Sequence, residues 1–206
     1  MIRIENVDVF GWEAAIRGMR NPMNSWEKDD SIIDDIGLVD IGENNLKLMK
    51  SLVKAGSDHS KFMRMINVTV DITAPLYWWK EFDTYKVGTV RNSCSTMHKI
   101  HSKEFTLDDF SHEHLCENSM RALKHVIDSL NIERKNYLIS KEKWAWWQMI
   151  QLLPSSYNQK ATVQLNYAVL SNMYHSRKNH KLDEWREFCK WVETLPYAEL
   201  IVGDKS

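Results

Sequence analysis

The most constraining feature of this sequence is the segment 66–98, INVTVDITAPLYWWKEFDTYKVGTVRNSCSTMH, in which a strand pattern runs directly into a helix pattern. Apolar and polar residues alternate over 68–73, as in a strand with one buried face. Pro75 suits the first turn of a helix, where its missing N–H costs nothing. We therefore predict a helix over 76–85, rich in aromatic residues, followed by a polar loop over 89–96.

Cationic residues surround this strand–helix corner: Lys80, Lys86 and Arg91. A strand that feeds a helix beside such residues can form an anion-binding corner. The alternative is that the corner is only scaffolding, as most strand–helix corners are. The residues leave both interpretations open.

Composition limits the class of protein. A chain of 206 residues, 43% hydrophobic and 27% charged, fits one soluble globular domain over 1–206. The net charge of −1 argues against general nucleic-acid binding, so any phosphate site must be local. Three cysteines do not suggest a disulfide framework, and no apolar run approaches the roughly 20 residues that span a bilayer. We expect a cytoplasmic protein whose nine tryptophans serve interfaces as well as the core.

Hydrophobic periodicity predicts a further strand and several helices. The strand is expected over 2–9, and the helices over 11–19, 44–55, from a cap at Asp108 or Ser111 to Leu130, 141–153, 159–176 and 183–192. Residues 20–43 are rich in Asn, Pro, Ser, Gly and Asp, which is typical of loops around short pieces of structure. The last residues, 198–206, are expected to add a short strand or to fray.

Some details of these helices are also predicted. Asn44 or Asn45 is expected to cap the helix over 44–55. Trp144 and Trp147 are expected to face inward from the helix over 141–153. Glu184 is expected on the solvated face of the last long helix.

The predicted helix over 159–176 carries a polar edge. Asn166 and Arg177 are eleven positions apart along it, about 16 Å by helical rise. Asn172 is expected nearer the apolar face, where an amide needs a partner. Such an edge suits an elongated ligand such as a nucleotide, but it is equally consistent with a helix edge bonded to its neighbours.

Histidines and cysteines crowd into the segment from 94 to 116. They are Cys94, His98, His101, His112, His114 and Cys116. Two of the spacings could chelate zinc from a helix, yet no Cys-x-x-Cys pair is present. We therefore predict exposed polar histidines and no metal.

The order of residue types after Ala74-Pro75 resembles a known signature. Without gaps, Arg-Gln-aromatic falls on Lys80-Glu81-Phe82, Arg-His-Arg on Thr84-Tyr85-Lys86, and a serine on Cys94, which Ser93 and Ser95 flank. In this arrangement the chain is similar to the flavin-dependent thymidylate synthases.

The second half of the chain resembles the same family more closely. Leu153-Pro154 is followed by Asn166, Asn172, Arg177 and His180, and then by EWREF over 184–188. The resemblance implies an α+β fold in which an antiparallel sheet packs with long helices. It also implies a homotetramer that binds FAD and a dUMP-like pyrimidine nucleotide, with NADPH and methylenetetrahydrofolate as co-substrates of a one-carbon transfer.

The resemblance, and for Arg91 the cationic corner described above, give expected roles to individual residues. Catalytic positions are Arg177, Cys94, Ser93 and Ser95; cofactor positions are Thr84, Tyr85, Lys86, Asn166, Asn172 and His59; substrate positions are Lys80, Glu81, Arg91 and Arg177.

The departures from the signature favour alternatives. Thr84 and Lys86 replace two arginines, and a lysine cannot form a planar two-pronged contact. Glu81 puts an anion where the family has glutamine. One alternative is a relative without catalysis that binds or sequesters another nucleotide. Another is an unrelated α+β protein whose Trp-rich faces form an oligomer.

Overall fold

The computed structural model describes residues 2–34 and 39–203. The strands are β1 (Arg3–Phe10), β2 (Ile32–Ile33), β3 (Val39–Asp40), β4 (Asn67–Pro75), β5 (Val90–Ser93) and β6 (Asn158–Asn166). The helices are α1 (Trp12–Arg20), α2 (Glu43–Lys54), α3 (Leu76–Phe82), α4 (Thr96–Lys99), α5 (Glu117–Ser140), α6 (Lys143–Leu152), α7 (Tyr167–Arg177), α8 (Asp183–Val192) and α9 (Glu199–Val202). No helix in these two ranges is long and apolar enough to cross a membrane.

The strands form one larger sheet and one small one. Four strands pair in the order β1-β4-β6-β5, and β2 pairs with β3 antiparallel, with Ile32 opposite Asp40. The molecule is rich in helix with an antiparallel sheet, which confirms the predicted α+β class. Strand β4 is confirmed as well, and its residues alternate in burial up to Ala74, which is followed by a second buried residue, Pro75.

The chain divides into two compact units. The first unit contains the chain up to Ile4, Asp71–Thr84 and Arg91–Thr162. The second contains Glu5–Val70, Tyr85–Val90 and the chain from Val163. The expectation of one domain over 1–206 stays a prediction.

The core of the first unit lies between α5, α6 and the segment before them. Its buried residues are Ile100, Phe105, Phe110, Leu123, Ile127, Leu130 and Met149. Ala145 and Met149, one helical turn apart, form the buried stripe of α6. The inward orientation predicted for Trp144 and Trp147 is wrong, because their side chains point away from this stripe and are 53% and 41% exposed.

Helix α5 begins later than predicted. Its N-cap is Cys116, whereas Asp109 closes a capping box with Thr106 at the preceding 3₁₀ turn Leu107–Asp109. Ser111 donates from Oγ to Asn158 Oδ1 at 2.9 Å and does not cap the helix. The predicted caps at Asp108 and Ser111 are therefore wrong.

The core of the second unit includes the apolar faces of α1 and α8. Helix α8 has the predicted bounds, and Trp185, Phe188, Cys189 and Val192 are buried in it. Glu184 is only 7% exposed, so its predicted solvated position is wrong. Its side chain lies one turn before Phe188 and shares that buried face.

The described residues of segment 20–43, which are 20–34 and 39–43, form short pieces as predicted, including the 3₁₀ turns Asn21–Met23 and Trp26–Lys28. The predicted cap of α2 at Asn44 or Asn45 is wrong. The carboxylate of Asp30 instead accepts hydrogen bonds from the backbone N–H of both, at 2.8 and 3.0 Å. An acidic group in this position also complements the helix dipole.

The largest correction concerns the predicted helix over 159–176. Its first half is strand β6, and only the second half is helix α7. Ala161 and Leu165 are four positions apart, which satisfies both a helical and a strand period, so the pattern was ambiguous. Asn166 is the N-cap of α7, and Asn172 is exposed on that helix, not near its apolar face.

Three smaller boundaries also differ from expectation. Helix α3 ends at Phe82, so Tyr85 lies beyond it. The predicted polar loop over 89–96 contains strand β5 and the start of α4. Residues 199–202 form helix α9, whereas the predicted strand or frayed end over 204–206 lies outside the described residues.

Candidate functional site

Arg177 is the centre of a cation site in the second unit. It lies in the last turn of α7, and its Nε donates to the hydroxyl oxygen of Tyr85 at 2.9 Å. The guanidinium carbon lies 5.6 Å from the ring centroid of Tyr85 and 4.9 Å from that of Trp185. The structure therefore brings together two predicted site residues that are 92 positions apart in sequence.

This arrangement fixes the orientation of the Arg177 guanidinium. Two aromatic rings attract the guanidinium through their π faces, and the hydrogen bond to Tyr85 sets its rotation. A cation in the last turn of a helix is also stabilised by the helix dipole. Arg177 is half-buried, so the site has a preorganised cation with a planar, forked set of donors.

The segment after Tyr85 passes close to the N-terminus of α7. Gly88 has a φ of +74°, and a Cβ built on it would lie 3.1 Å from Asn166 Nδ2 and 3.1 Å from Val169 Cγ2. Asn166 uses its Oδ1 to accept from the backbone N–H of Val169 at 3.1 Å. Glycine is required at 88 both by its backbone conformation and by this close approach.

The other predicted cofactor residues of the second unit are exposed. Lys86 directly follows Tyr85, Asn172 lies on α7, and His59 lies in the turn after α2. Their predicted roles in cofactor binding stay predictions. Thr84, at the end of the first unit's segment, donates from its hydroxyl to the carbonyl oxygen of Glu81 at 2.7 Å.

The first unit contains an open cleft of about 600 Å³. The predicted residues Cys94 and Ser95 line it, whereas Ser93 is exposed at the end of β5 and does not. Its other polar and charged lining residues are Arg3, Thr73, Thr96, Lys99, Ser102, Lys103, Thr106, Asp108, Asp109, Tyr157, Asn158, Gln159 and Lys160. We call this the basic cleft, because its lining has four cations and two carboxylates.

The basic cleft keeps a positive surplus after its internal ion pairs are counted. Lys103 pairs with Asp109, and Lys160 Nζ lies 3.1 Å from Asp71 Oδ2. The charges left in the lining are Arg3, Lys99 and Asp108, none of which forms an ion pair with a residue that the structure describes, so the surplus is one positive charge. The surplus favours an anionic occupant.

Arg91 is held within the first unit by three neighbours. Its guanidinium carbon lies 4.0 Å above the ring of Trp79, and its Nη1 donates to both carboxylate oxygens of Asp83, at 2.7 and 2.6 Å. Its Nη2 donates to Gln159 Oε1 at 2.5 Å. The structure thus places this predicted substrate residue in an internal network. The predicted residue Lys80 is exposed on α3.

Several residues of these sites were missed from the sequence. The cleft lysines Lys99, Lys103 and Lys160 follow no motif, and Gln159 was interpreted as the start of a helix. Trp185 has no expected site role, although it belongs to the EWREF run that carries the resemblance. Within 2–34 and 39–203, no group of three or more His, Cys, Asp or Glu side chains could hold a metal ion.

Comparisons with known proteins agree on the fold. No protein-family model matches the chain, and no curated protein matches it in sequence. Among solved structures, the flavin-dependent thymidylate synthase ThyX from Helicobacter pylori, complexed with FAD and dUMP, is similar with a TM-score of 0.68 and 16% identity. That match covers 98% of this chain and 97% of the other.

A second similar structure is the UMP/dUMP methylase PolB from Streptomyces cacaoi, bound with 5-Br UMP. Its TM-score is 0.63 at 14% identity, over 94% of this chain and 88% of that one. At these identities the comparisons show the fold, and the predicted resemblance to the flavin-dependent thymidylate synthases is confirmed at that level.

Proposed function

We propose that this chain binds a uracil nucleotide of the dUMP type together with a flavin and methylates the uracil ring with a one-carbon unit from a folate. The carrying observation is the hydrogen bond between Arg177 and Tyr85. Both residues were expected at a ligand site from the resemblance, and their contact forms within a fold shared with proteins complexed with FAD, dUMP or a bromo-UMP.

A pyrimidine nucleotide carries acceptor groups that suit the guanidinium of Arg177 in the second unit. A pyrimidine nucleotide presents phosphate oxygens and ring carbonyls, which accept hydrogen bonds from a guanidinium in pairs. Arg177 is already ordered by Tyr85 and Trp185, so little side-chain entropy would be lost when it binds such a group. The resemblance assigns this residue to the nucleotide.

The basic cleft of the first unit, taken by itself, offers a second set of groups that suits an anionic nucleotide. Arg3 and Lys99 offer two cations to a phosphate, and Asp108 in the same lining offsets one of these charges. The hydroxyl of Ser95 and the thiol of Cys94 line the same space and offer contacts to a polar ring. The cleft volume of about 600 Å³ suits a nucleotide-sized ligand.

The residues expected to bind a flavin carry hydrogen-bond donors and a positive charge, which suit an anionic dinucleotide. Lys86 offers a cation, the exposed amide of Asn172 offers two N–H donors, and Asn166 can donate from Nδ2 because its Oδ1 caps α7. Bound flavin would supply hydride. The chain's own residues would bind the diphosphate and orient the ring.

The test is a spectrum and a melting curve of the purified protein. Oxidised flavin gives a yellow protein, and dUMP at 100 times its Kd raises the free energy of unfolding by about 2.7 kcal/mol, or roughly 5–10 °C in Tm for a chain of this length. Arg177→Met is expected to abolish the dUMP shift. Arg17→Met removes an exposed arginine that contacts Glu13 and is the matched control. A full dUMP shift in Arg177→Met would contradict the proposal.

A second candidate is nucleotide binding without turnover, and the network around Arg91 favours it. This guanidinium is committed to Asp83 and Gln159, and Thr84 directs its hydroxyl to a backbone carbonyl. A colourless protein that gains stability with dUMP or another nucleotide, and that releases no methylated product with added FAD, NADPH and methylenetetrahydrofolate, would select this candidate.

We also propose that the chain forms the homotetramer implied by the resemblance. Large apolar side chains are exposed at the end of α5 and on α6: Ile139 at 85%, Trp144 at 53% and Trp147 at 41%. Surfaces of this kind are typical of interfaces. Light scattering coupled to gel filtration tests the state, and a monomer would exclude it.

A further inference from the structure

Gln159 connects three parts of the first unit through one buried side chain. Its Oε1 accepts from Arg91 Nη2 at 2.5 Å, and its Nε2 donates to the carbonyl oxygen of Cys94 at 2.7 Å. Its own carbonyl oxygen accepts from Trp79 Nε1 at 2.9 Å. The side chain is 8% exposed, so these hydrogen bonds are largely shielded from water.

The orientation of the Gln159 amide follows from its partners. A guanidinium can only donate, so the amide oxygen must face Arg91 and the amide nitrogen must face Cys94. Arg91 is itself fixed, since it lies on Trp79 and is paired with Asp83. The network therefore transmits the position of Arg91 to the backbone of Cys94.

The backbone of Cys94 is held on both sides. Its N–H donates to the carbonyl oxygen of Lys160 at 2.9 Å, and its carbonyl oxygen accepts from Gln159. The next residue, Ser95, accepts from the N–H of His98 through its Oγ at 3.1 Å. Cys94 and Ser95 form one wall of the basic cleft, so the network sets the position of that wall.

We propose that Arg91 and Gln159 are positioning residues of the basic cleft. They hold Cys94 and Ser95 where a uracil nucleotide meets them, and Arg91 acts through Gln159 without touching the ligand. The affinity part of this inference rests on the proposed function. The positioning of Cys94 does not.

The test uses an isosteric change. Gln159→Glu keeps the acceptor for Arg91 but places a carboxylate oxygen against the carbonyl of Cys94, which loses its donor. The pairing with Arg91 is charge-assisted in this variant, so the fold is expected to survive. Gln164→Glu makes the same substitution at an exposed position of β6 and is the matched control.

The first readout is the alkylation rate of Cys94 by iodoacetamide. Cys116 is also exposed, and its hydrogen bond with Ser119 lowers its pKa, so all variants carry Cys116→Ser. Cys189 is buried. Gln159→Glu is expected to change the Cys94 rate severalfold, with the circular dichroism spectrum unchanged, and Gln164→Glu is expected to leave it unaltered. An unchanged Cys94 rate in a folded Gln159→Glu protein overturns the positioning role.

The second readout is the Kd for dUMP by calorimetry. Loss of a hydrogen bond that orders the cleft wall is expected to weaken binding about tenfold in Gln159→Glu. Arg91→Lys keeps the positive charge but cannot make the hydrogen bonds to Asp83 and Gln159 at the same time, and it is also expected to raise the Kd for dUMP. An altered alkylation rate with an unaltered Kd overturns the effect on affinity. Absence of dUMP binding by the wild type overturns the proposed function, and the alkylation rates then decide the positioning role by themselves.

Discussion

The hydrogen bond between Tyr85 and Arg177 should be measurable as a coupling free energy. We expect Tyr85→Phe to keep the ring beside the guanidinium and to remove only the oxygen that accepts from Arg177 Nε at 2.9 Å. Hydrogen bonds to charged groups contribute about 1.5–3 kcal/mol. Because Arg177 is half-buried and partly screened by water, we expect the lower end, about 1.5 kcal/mol.

Arg177→Met should cost more than Tyr85→Phe. It removes the same hydrogen bond and also the contacts with the rings of Trp185 and Tyr85, whose centroids lie 4.9 and 5.6 Å from the guanidinium carbon. A cation–π contact of this kind contributes about 0.5–1 kcal/mol at a partly exposed site. The expected loss is therefore about 2.5–3.5 kcal/mol, and the double variant should lose little more than Arg177→Met alone.

The assay is urea unfolding of the four proteins of this double-mutant cycle. Both residues belong to the second unit, so both changes should act on the same transition. The coupling free energy is expected to be about 1.5 kcal/mol. If the loss in the double variant equals the sum of the two single losses to within about 0.3 kcal/mol, the two side chains act independently in solution. Such a result would refute the preorganisation of Arg177 by Tyr85.

Three further outcomes are expected. Met49→Ala removes a fully buried side chain and should lower the free energy of unfolding, measured by urea denaturation, by about 2–5 kcal/mol. A loss below about 1 kcal/mol would mean that the surrounding side chains fill the space and leave no cavity. Burial raises the pKa of the Cys189 thiol to about 11, so the folded protein keeps this proton over a pH range in which the unfolded chain has lost it. The resulting stabilisation is present at neutral pH and is lost as the pH rises from 9 towards 11. Thiol titration at neutral pH should detect Cys189 only after unfolding. Burial acts to raise the pKa of Asp30, but hydrogen bonds from backbone N–H groups at the start of α2 outweigh this effect and lower the pKa. The charged carboxylate therefore stabilises the fold at neutral pH, and this stabilisation is lost as the pH falls and the carboxylate takes up a proton. Asp30→Asn should have a lower Tm at neutral pH, and its Tm should decline less at acidic pH than that of the wild type.

The sequence was sufficient where a single period was unambiguous. Strand β4 alternates strictly, and α8 places four apolar residues on one face, so both were predicted correctly. Strand β6 was not, because Ala161 and Leu165 satisfy two periods at once. In α6 the inward orientation was predicted for the two large tryptophans, whereas the smaller Ala145 and Met149 form the buried stripe. Packing depends on the partner surface, which local periodicity does not contain.

The contacts of the site are mostly long-range, which limits what any local pattern could predict. Arg91 and Gln159 are 68 positions apart, and their hydrogen bond depends on how the strands pair. The resemblance identified Tyr85 and Arg177 by position, yet it gave no indication that one would hold the other. Arg91 was expected at the substrate as one of the cations around the strand–helix corner, whereas the structure places it against Asp83.

The distribution of charge has a consequence for how a nucleotide would bind. The signature positions 84 and 86 hold threonine and lysine in place of two arginines, whereas the basic cleft is lined by three lysines and Arg3. A lysine acts as a hydrated point charge with no fixed fork, so its contribution is mainly Coulombic. In an open cleft such attraction is screened over about 10 Å at 0.1 M salt. We therefore expect dUMP affinity to fall steeply with added sodium chloride in the wild type and less steeply in Lys99→Met. An affinity independent of salt would contradict a Coulombic contribution of the cleft lysines.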